Sequence, residues 1–401
     1  MPCRIEPAPS PPRDAGAPLP EPLGWIDGEL ADLAAGDLLR PHRIRSGRQG
    51  ARVVLDGREL VNLGSNDYLG YAGDVRLTKA ASKAACAEGF GAGASPLVSG
   101  HSQAHENLER AIATLLGVEA ALVFVSGFAA NSATIAAVAG PGDAIYSDER
   151  NHASLIDGCR LARAAVHVYP HRDLAALEQL LTTTAARRKL VVTDTLFSMD
   201  GTIAPLADLC ELARRQGAIL LVDEAHATGV FGTRGSGLVE ETGCDDGVHI
   251  RVGTLSKALG AAGGFVAGPA RLVEWLRHKA RAWIFSTAHP PAVAGAAARA
   301  IELLGQEPER RRELRALSTV FRERLTARGV DIGGAEAQIV PVIAGEPAAA
   351  LALAERLAAA GFFVPAIRPP SVPTGRSLVR ASLSWLHSEA DLARLADALG
   401  Q

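Results

Sequence analysis

Beyond Arg76 the chain alternates short, nearly uninterrupted apolar runs with stretches of helical period. The runs fall at residues 121–125, 144–146, 165–169, 190–194, 218–223, 250–254 and 264–267. Strands that are apolar on both faces must be covered on both faces. The pattern therefore predicts an α/β fold built on a mostly parallel, seven-stranded sheet. One charge-free run, 120–142, is long enough to raise the question of a membrane span. Ser126, Gly127, Asn131, Ser132 and Thr134 interrupt it, and it reads as a buried strand followed by a buried helix.

The flanks read differently. Residues 1–22 hold eight of the 23 prolines, which cannot build helix, so a disordered extension is expected there. An amphipathic helix is expected over 28–40. Two strands, 51–54 and 60–63, split by Asp56-Gly57, suggest a hairpin. After Pro290-Pro291 the order changes: a long helix over 292–328, strand 338–343, helix 347–360, strands 362–367 and 377–383, and a last helix 388–399. That is the pattern of a smaller α+β domain. The expected division is an extension at 1–25, an N-terminal segment at 26–66, a large domain at 67–291 and a small C-terminal domain at 292–401.

A net charge of −3 over 401 residues offers no global attraction to nucleic acid or anionic membrane. Five scattered cysteines, never in C-x-x-C spacing, read as free thiols of a reducing, cytoplasmic compartment. His101 and His105 have i,i+4 spacing without H-E-x-x-H, so no zinc site is expected.

In open parallel sheets ligands bind beyond the carboxyl ends of the strands. Three strand ends carry chemistry. Ser126-Gly127-Phe128 opens a helix, where small residues let backbone N–H groups approach an anion, although a plain tight turn reads the same way. Asp223 ends a buried strand, and a carboxylate there has to be paired, with a cofactor's cationic nitrogen or as a helix cap. Asp223-Glu224-Ala225-His226 also spells a Mg²⁺-holding nucleotidase box. That reading needs a G-x-x-x-x-G-K-[ST] loop, and the chain has no Gly-Lys pair. Lys257, alone among five lysines, stands at a strand end among Thr254, Ser256 and a run of small residues. A desolvated lysine becomes a nucleophilic amine. Together these features fit pyridoxal 5′-phosphate (PLP), which needs an amine, a carboxylate for its ring nitrogen and donors for its phosphate. His152, after another strand end, could stack on such a ring, or be an ordinary polar residue.

The chain resembles the α-oxoamine synthases, fold-type-I (aspartate-aminotransferase-like) PLP enzymes. The resemblance covers nearly everything from about residue 30 onward. Its carriers are SNDYLG from Ser65, GASPLVSGHSQAH from Gly93, SGFAAN from Ser126, NHASL from Asn151, FSMDG from Phe197, VDEAHATGV from Val222, TLSK from Thr254, FSTAHPP from Phe285 and IRPPSVP from Ile367. It implies that Lys257 is the Schiff-base lysine, Asp223 the ring-nitrogen partner, His226 the contact to the cofactor's phenolic oxygen and His152 the stacking ring. Lys257, Asp223, His226 and His152 would then be the catalytic group. Ser126, Gly127, Phe128, Ser198 and Thr254 match further cofactor contacts. Ser286 and Thr287 match a pair that reaches the other subunit's cofactor, which implies a homodimer with shared sites. Arg380 matches the grip on the amino acid's carboxylate, and Arg40, Asn66 and Ser371 match substrate-side positions. The implied reaction is a decarboxylative condensation of an amino acid with an acyl thioester. Ile367-Arg368-Pro369-Pro370 favours L-alanine and a pimeloyl thioester, carried by CoA or acyl carrier protein, as in biotin synthesis. Glycine with acetyl-CoA is the alternative. The sequence departs from the family at Glu224, Ala227, Leu378 and Ser371, and the proline-rich leader has no counterpart.

Overall fold

The structure is a computed structural model that describes residues 21–400. Most of the proline-rich leader lies outside the described residues. The chain divides into two compact units, one ending at His42 and the other beginning at Arg43. The first contains helix α1 (Trp25–Ala35), none of whose residues is buried. The helix expected over 28–40 thus starts and stops earlier. Gly36 follows it, and Asp37 takes a left-handed φ of 55° that ends the α conformation.

The second unit opens with β1 (Arg45–Ser46), β2 (Arg52–Leu55) and β3 (Arg58–Asn62). Asp56 and Gly57, at φ 48° and 80°, form the two-residue turn of the expected hairpin. Both positions need positive φ, which Gly adopts freely and Asp tolerates. Helix α2 (Val75–Glu88), a π-helical turn at Pro96–Gly100 and α3 (Gln103–Leu116) follow.

The chain then alternates as its pattern requires. In order come β4 (Ala120–Phe124), α4 (Gly127–Val138), β5 (Ala144–Asp148), α5 (Ala153–Ala162), β6 (Ala165–Tyr169), α6 (Leu174–Thr183), β7 (Lys189–Asp194), α7 (Leu206–Gln216), β8 (Ile219–Asp223), α8 (Leu238–Glu241), β9 (Ile250–Thr254) and β10 (Gly264–Gly268). The seven strands form one sheet in the order β4-β10-β9-β8-β7-β5-β6. Strand β10 runs antiparallel to both β4 and β9, and the other pairings are parallel. Successive side chains on a strand point to opposite faces. Tyr146, Val191, Leu220 and Val222 join one hydrophobic cluster, while Ile145, Leu190, Val192 and Leu221 join the other. The charge-free run becomes β4 and α4, and no helix among the described residues is long and apolar enough to cross a membrane.

Beyond the sheet lie α9 (Ala270–Lys279), α10 (Arg281–Ile284), α11 (Pro291–Gln306) and α12 (Pro308–Ala327). The single helix expected over 292–328 is two helices. Pro308 has no N–H and disfavours helix at Glu307, so the first helix stops and a second begins with proline in its first turn. Then come β11 (Ile339–Gly345), α13 (Pro347–Ala359), β12 (Phe362–Phe363), β13 (Ala366–Ile367), β14 (Ser377–Ser382) and α14 (Glu389–Leu399). The strand expected over 362–367 is also two pieces, separated by Val364-Pro365. Strand β12 pairs in parallel with β3, and β13 joins the antiparallel sheet β11-β14-β13. The C-terminal α+β segment thereby lends a strand to the N-terminal sheet.

Candidate active site

The carboxyl ends of β5, β7, β8 and β9 bring the titratable groups together. Strand β8 ends in Asp223, buried, with its Oδ1 accepting the Ala225 N–H at 2.6 Å and its Oδ2 accepting Asn131 Nδ2 at 2.5 Å. Its register neighbour on β7 is Asp194, also buried, whose Oδ2 accepts the His152 N–H at 2.7 Å. Burial, and then the charge of Asp223, push the Asp194 carboxyl well above the ordinary carboxylate range. Two carboxylates side by side at the bottom of a site ask for a cation.

Lys257 follows the end of β9. Its Nζ lies 2.8 Å from His226 Nε2. Burial lowers its pKa from 10.5 to about 8; Asp223 and Asp194 work against that shift and Arg380 works with it. His226 is buried, and burial together with Lys257, Arg380 and His152 holds it well below the ordinary histidine value. It stays a neutral imidazole. His152 caps α5, and its Nδ1 lies 2.8 Å from Ser154 Oγ. Burial lowers its pKa, with Asp223 opposing.

Ser126 is the N-cap of α4, and its Oγ accepts the Ala129 N–H at 3.0 Å. Gly127 opens that helix against β9, where an added Cβ would lie 3.4 Å from the Thr254 side chain. Thr254 Oγ1 lies 2.8 Å from Ser256 Oγ and donates to Gly263 O at 2.8 Å. Hydroxyls and a helix N-terminus so converge on one patch. Phe128 lies in the first turn and is 46% exposed.

From β14, the buried Arg380 donates through NH1 to Ser198 O at 2.9 Å and through NH2 to Asn66 Oδ1 at 3.3 Å. Its Nε is buried without a hydrogen-bond partner among the described residues. Asn66 and Lys257 line a cavity of about 670 Å³, with Arg45 and Arg48 also in its wall.

Two of the other expected residues are not gathered there. Ser286 and Thr287 line a different cavity, with His101, Trp283 and His289. Ser371 is exposed, with its N–H on Arg368 O. Arg40 belongs to the first unit. Glu224 is no part of a nucleotide site: it forms a buried ion pair with Arg251 at 2.7 Å and accepts the Val239 N–H. His101 does come within ligand distance of Glu106 and Glu109, while His105 bonds His289 O instead. Sequence reasoning gave no role to Asn131, Asp194 or Tyr68. Asp194 carried the same signal as Asp223, an acid ending an apolar run. Tyr68 and Asn131 carried only their place inside recognisable motifs.

The group fits PLP on this structure's own terms. The paired buried carboxylates suit a protonated ring nitrogen, the depressed amine suits an aldehyde, and the Gly127–Thr254–Ser256 patch suits a phosphate. Residues 58–399 match the aminotransferase class I and II family. The chain is 47% identical over 366 residues to an 8-amino-7-oxononanoate synthase from Symbiobacterium thermophilum, covering 91% of this chain and 93% of the relative. It is 51% identical over 378 residues to another from Anaeromyxobacter sp. strain Fw109-5, covering 94% and 95%. Among solved structures it is similar to a serine palmitoyltransferase variant from S. paucimobilis with PLP and myriocin bound. The TM-score there is 0.90 at 30% identity, over 95% of this chain and 98% of that one.

Proposed function

The chain belongs to the aminotransferase class I and II family, and we propose that it works there as an 8-amino-7-oxononanoate synthase. It is a PLP-dependent acyltransferase of biotin synthesis. Its substrates are L-alanine and a pimeloyl thioester of CoA or acyl carrier protein. A carbon–carbon bond forms between the alanine α-carbon and the acyl carbon, and the thiol and carbon dioxide leave. The observation that carries this reading is the 47–51% identity to 8-amino-7-oxononanoate synthases over more than nine-tenths of the chain, and the Lys257 amine, 2.8 Å from His226 and lowered by burial to a pKa of about 8, is the group it acts through.

When bound, PLP supplies an electron sink for the charge left on the amino acid's α-carbon. The protein does the rest. Lys257 would hold the cofactor through its amine, and the same Nζ, once free, would take the α-proton of the amino acid. A pKa near 8 leaves a usable free-base fraction at neutral pH and still permits protonation. Asp223 would pair with the cofactor's ring nitrogen, and Asn131 and the Ala225 N–H hold that carboxylate in place. His226 would donate to the cofactor's phenolic oxygen and His152 would stack on its ring. Ser126, Gly127, Phe128, Ser198 and Thr254 complete the cofactor's surroundings. Arg380 takes the alanine carboxylate, with its spare Nε–H among the donors, and so orients the bond that must break. Asn66, which lines the Lys257 cavity, would serve the substrate side, and the family resemblance gives Arg40 and Ser371 the same role. Ser286 and Thr287 serve the partner's site in a cytoplasmic homodimer. The exposure of nearby Phe285, 70%, and Val98, 79%, supports that reading, since large apolar side chains are seldom left uncovered.

The test is a panel of amino acids and acyl thioesters scored by thiol release. L-alanine with a pimeloyl thioester is expected to turn over fastest. Glycine with acetyl-CoA, or serine with a long-chain acyl-CoA, as the best pair would overturn the substrate assignment.

A further inference from the structure

Tyr68 stands behind the catalytic group without touching the cavity. It follows Asn66 and Asp67 and is fully buried. Its hydroxyl lies 2.5 Å from His226 Nδ1 and 3.3 Å from Asn66 Oδ1. On its far side His226 meets Lys257 Nζ at 2.8 Å, and its backbone carbonyl is held by Gln338 Nε2 at 2.8 Å. A continuous row runs from phenol to imidazole to amine.

We propose that Tyr68 is a positioning residue that fixes the proton of His226 on Nε2, so that the imidazole presents N–H to Lys257 and favours the free base of its amine. The distances decide the direction. A neutral imidazole has one donor and one acceptor nitrogen. With the proton on Nε2, the phenol donates to Nδ1 over the short 2.5 Å contact and Nε2–H donates to Nζ. With the proton on Nδ1, the phenol would have to accept it and send its own hydrogen to Asn66 over 3.3 Å, a weaker bond. Burial raises the Tyr68 phenol far above its ordinary value, so it remains a donor throughout the working pH range. The charged and titratable groups acting on the pair are Asp223, Asp194 and Arg380 around Lys257, and Arg380 and His152 around His226. Asp223 and Asp194 favour the ammonium form. The histidine N–H set by Tyr68 opposes them, because an ammonium cannot accept it.

The inference rests on Lys257 being the reacting amine, but its test does not need the condensation reaction. Apo-protein labelled with ¹⁵N-histidine reports which ring nitrogen of His226 is protonated, the signal being identified by its loss in His226→Gln. The wild type is expected to show Nε2–H alone. Tyr68→Phe is expected to admit the Nδ1–H form, which lets Nε2 accept from an ammonium. The pH midpoint of PLP capture by the apo-protein should then rise by about one unit, on the scale of one buried hydrogen bond. At about pH 7.5 capture should slow several-fold and recover when the pH is raised, which structural damage would not do. Tyr71→Phe, another buried tyrosine whose hydroxyl bonds Glu307, should change neither readout. Nδ1–H in the wild type overturns the proposal, as does a Tyr68→Phe protein with unchanged tautomer and midpoint, or a loss of capture that higher pH does not restore. If Tyr68→Phe does not fold, the wild-type spectrum decides. Failure of every protein to capture PLP would instead sink the cofactor role of Lys257 and leave the tautomer result standing.

Discussion

At the scale of single residues, function depends on groups that are buried and only partly satisfied. Arg380 spends NH1 and NH2 on Ser198 and Asn66 and keeps Nε unpaired. A carboxylate accepting from a buried guanidinium gains a charge-assisted bond. Arg380→Ala is therefore expected to raise the KM for the amino acid by about 100-fold, equivalent to roughly 3 kcal/mol. The cofactor's visible band should persist, since the arginine does not hold the cofactor. Steady-state kinetics and an absorption spectrum of the same preparation check both halves; a lost band would contradict the assignment. Asp223 and Lys257 were legible in the sequence because each is a polar residue where an apolar run stops. Tyr68 was not, because a tyrosine in a loop says nothing about the imidazole at position 226 that its hydroxyl will meet.

At the scale of elements, the site depends on how closely β10 passes α4. A Cβ on Gly264 would lie 2.5 Å from Gly127 N and Cα, so glycine is needed there for backbone to approach backbone. Gly264→Ala should push the start of α4 away from Thr254 and weaken PLP binding by about tenfold or more, with a stability loss of about 1–3 kcal/mol. Equilibrium binding and chemical unfolding measure the two effects, and unchanged PLP affinity would refute the claim. A second element-level device is the loop after β14. The buried His387 joins it to β3: Nε2–H donates to Asn62 O at 3.0 Å, and Nδ1 accepts the Ser384 N–H at 3.1 Å. Both nitrogens are used in the neutral form, and burial lowers the pKa from 6.5 to about 4. Above the unfolded value both states leave this imidazole neutral and its contribution is whole. As the pH falls from 6.5 towards 4 only the unfolded chain takes up the proton, and the fold loses roughly 3 kcal/mol at this position. Asp67 and Glu109, whose carboxyls burial raises to about 6 and about 7, titrate in or near the same window. The comparison is therefore with His387→Leu: the stability difference between the two proteins should shrink by that amount from about pH 7 to pH 4. A pH-independent difference would mean the histidine is not neutral in the fold.

At the scale of the whole molecule, the expected pair Ser286 and Thr287 lines a cavity apart from Lys257. In the proposed homodimer each subunit supplies the lysine of one site and the hydroxyl pair of the other. Mixing and refolding Lys257→Ala subunits with a Ser286→Ala/Thr287→Ala variant should then restore activity. Random pairing makes half the dimers mixed, each with one intact site, so recovery of about one quarter of wild-type turnover is expected. No recovery above the separate parents would refute site sharing.

What the sequence determined by itself was everything written in local pattern. The period of the apolar runs fixed an α/β sheet covered on both faces, Asp56-Gly57 fixed a hairpin turn, and polar residues at run ends marked Asp223 and Lys257. Its misreadings were also local. Pro308 breaks an otherwise helical stretch into two helices, and Pro365 divides residues 362–367 between two sheets. Tertiary structure alone decided which distant groups share a dielectric environment. Asp194 beside Asp223, Glu224 paired with Arg251, and the row from Tyr68 through His226 to Lys257 join residues remote in the chain. Desolvation and charge depend on what lies within a few ångströms in space, and chain order carries no record of that until the strands have stacked.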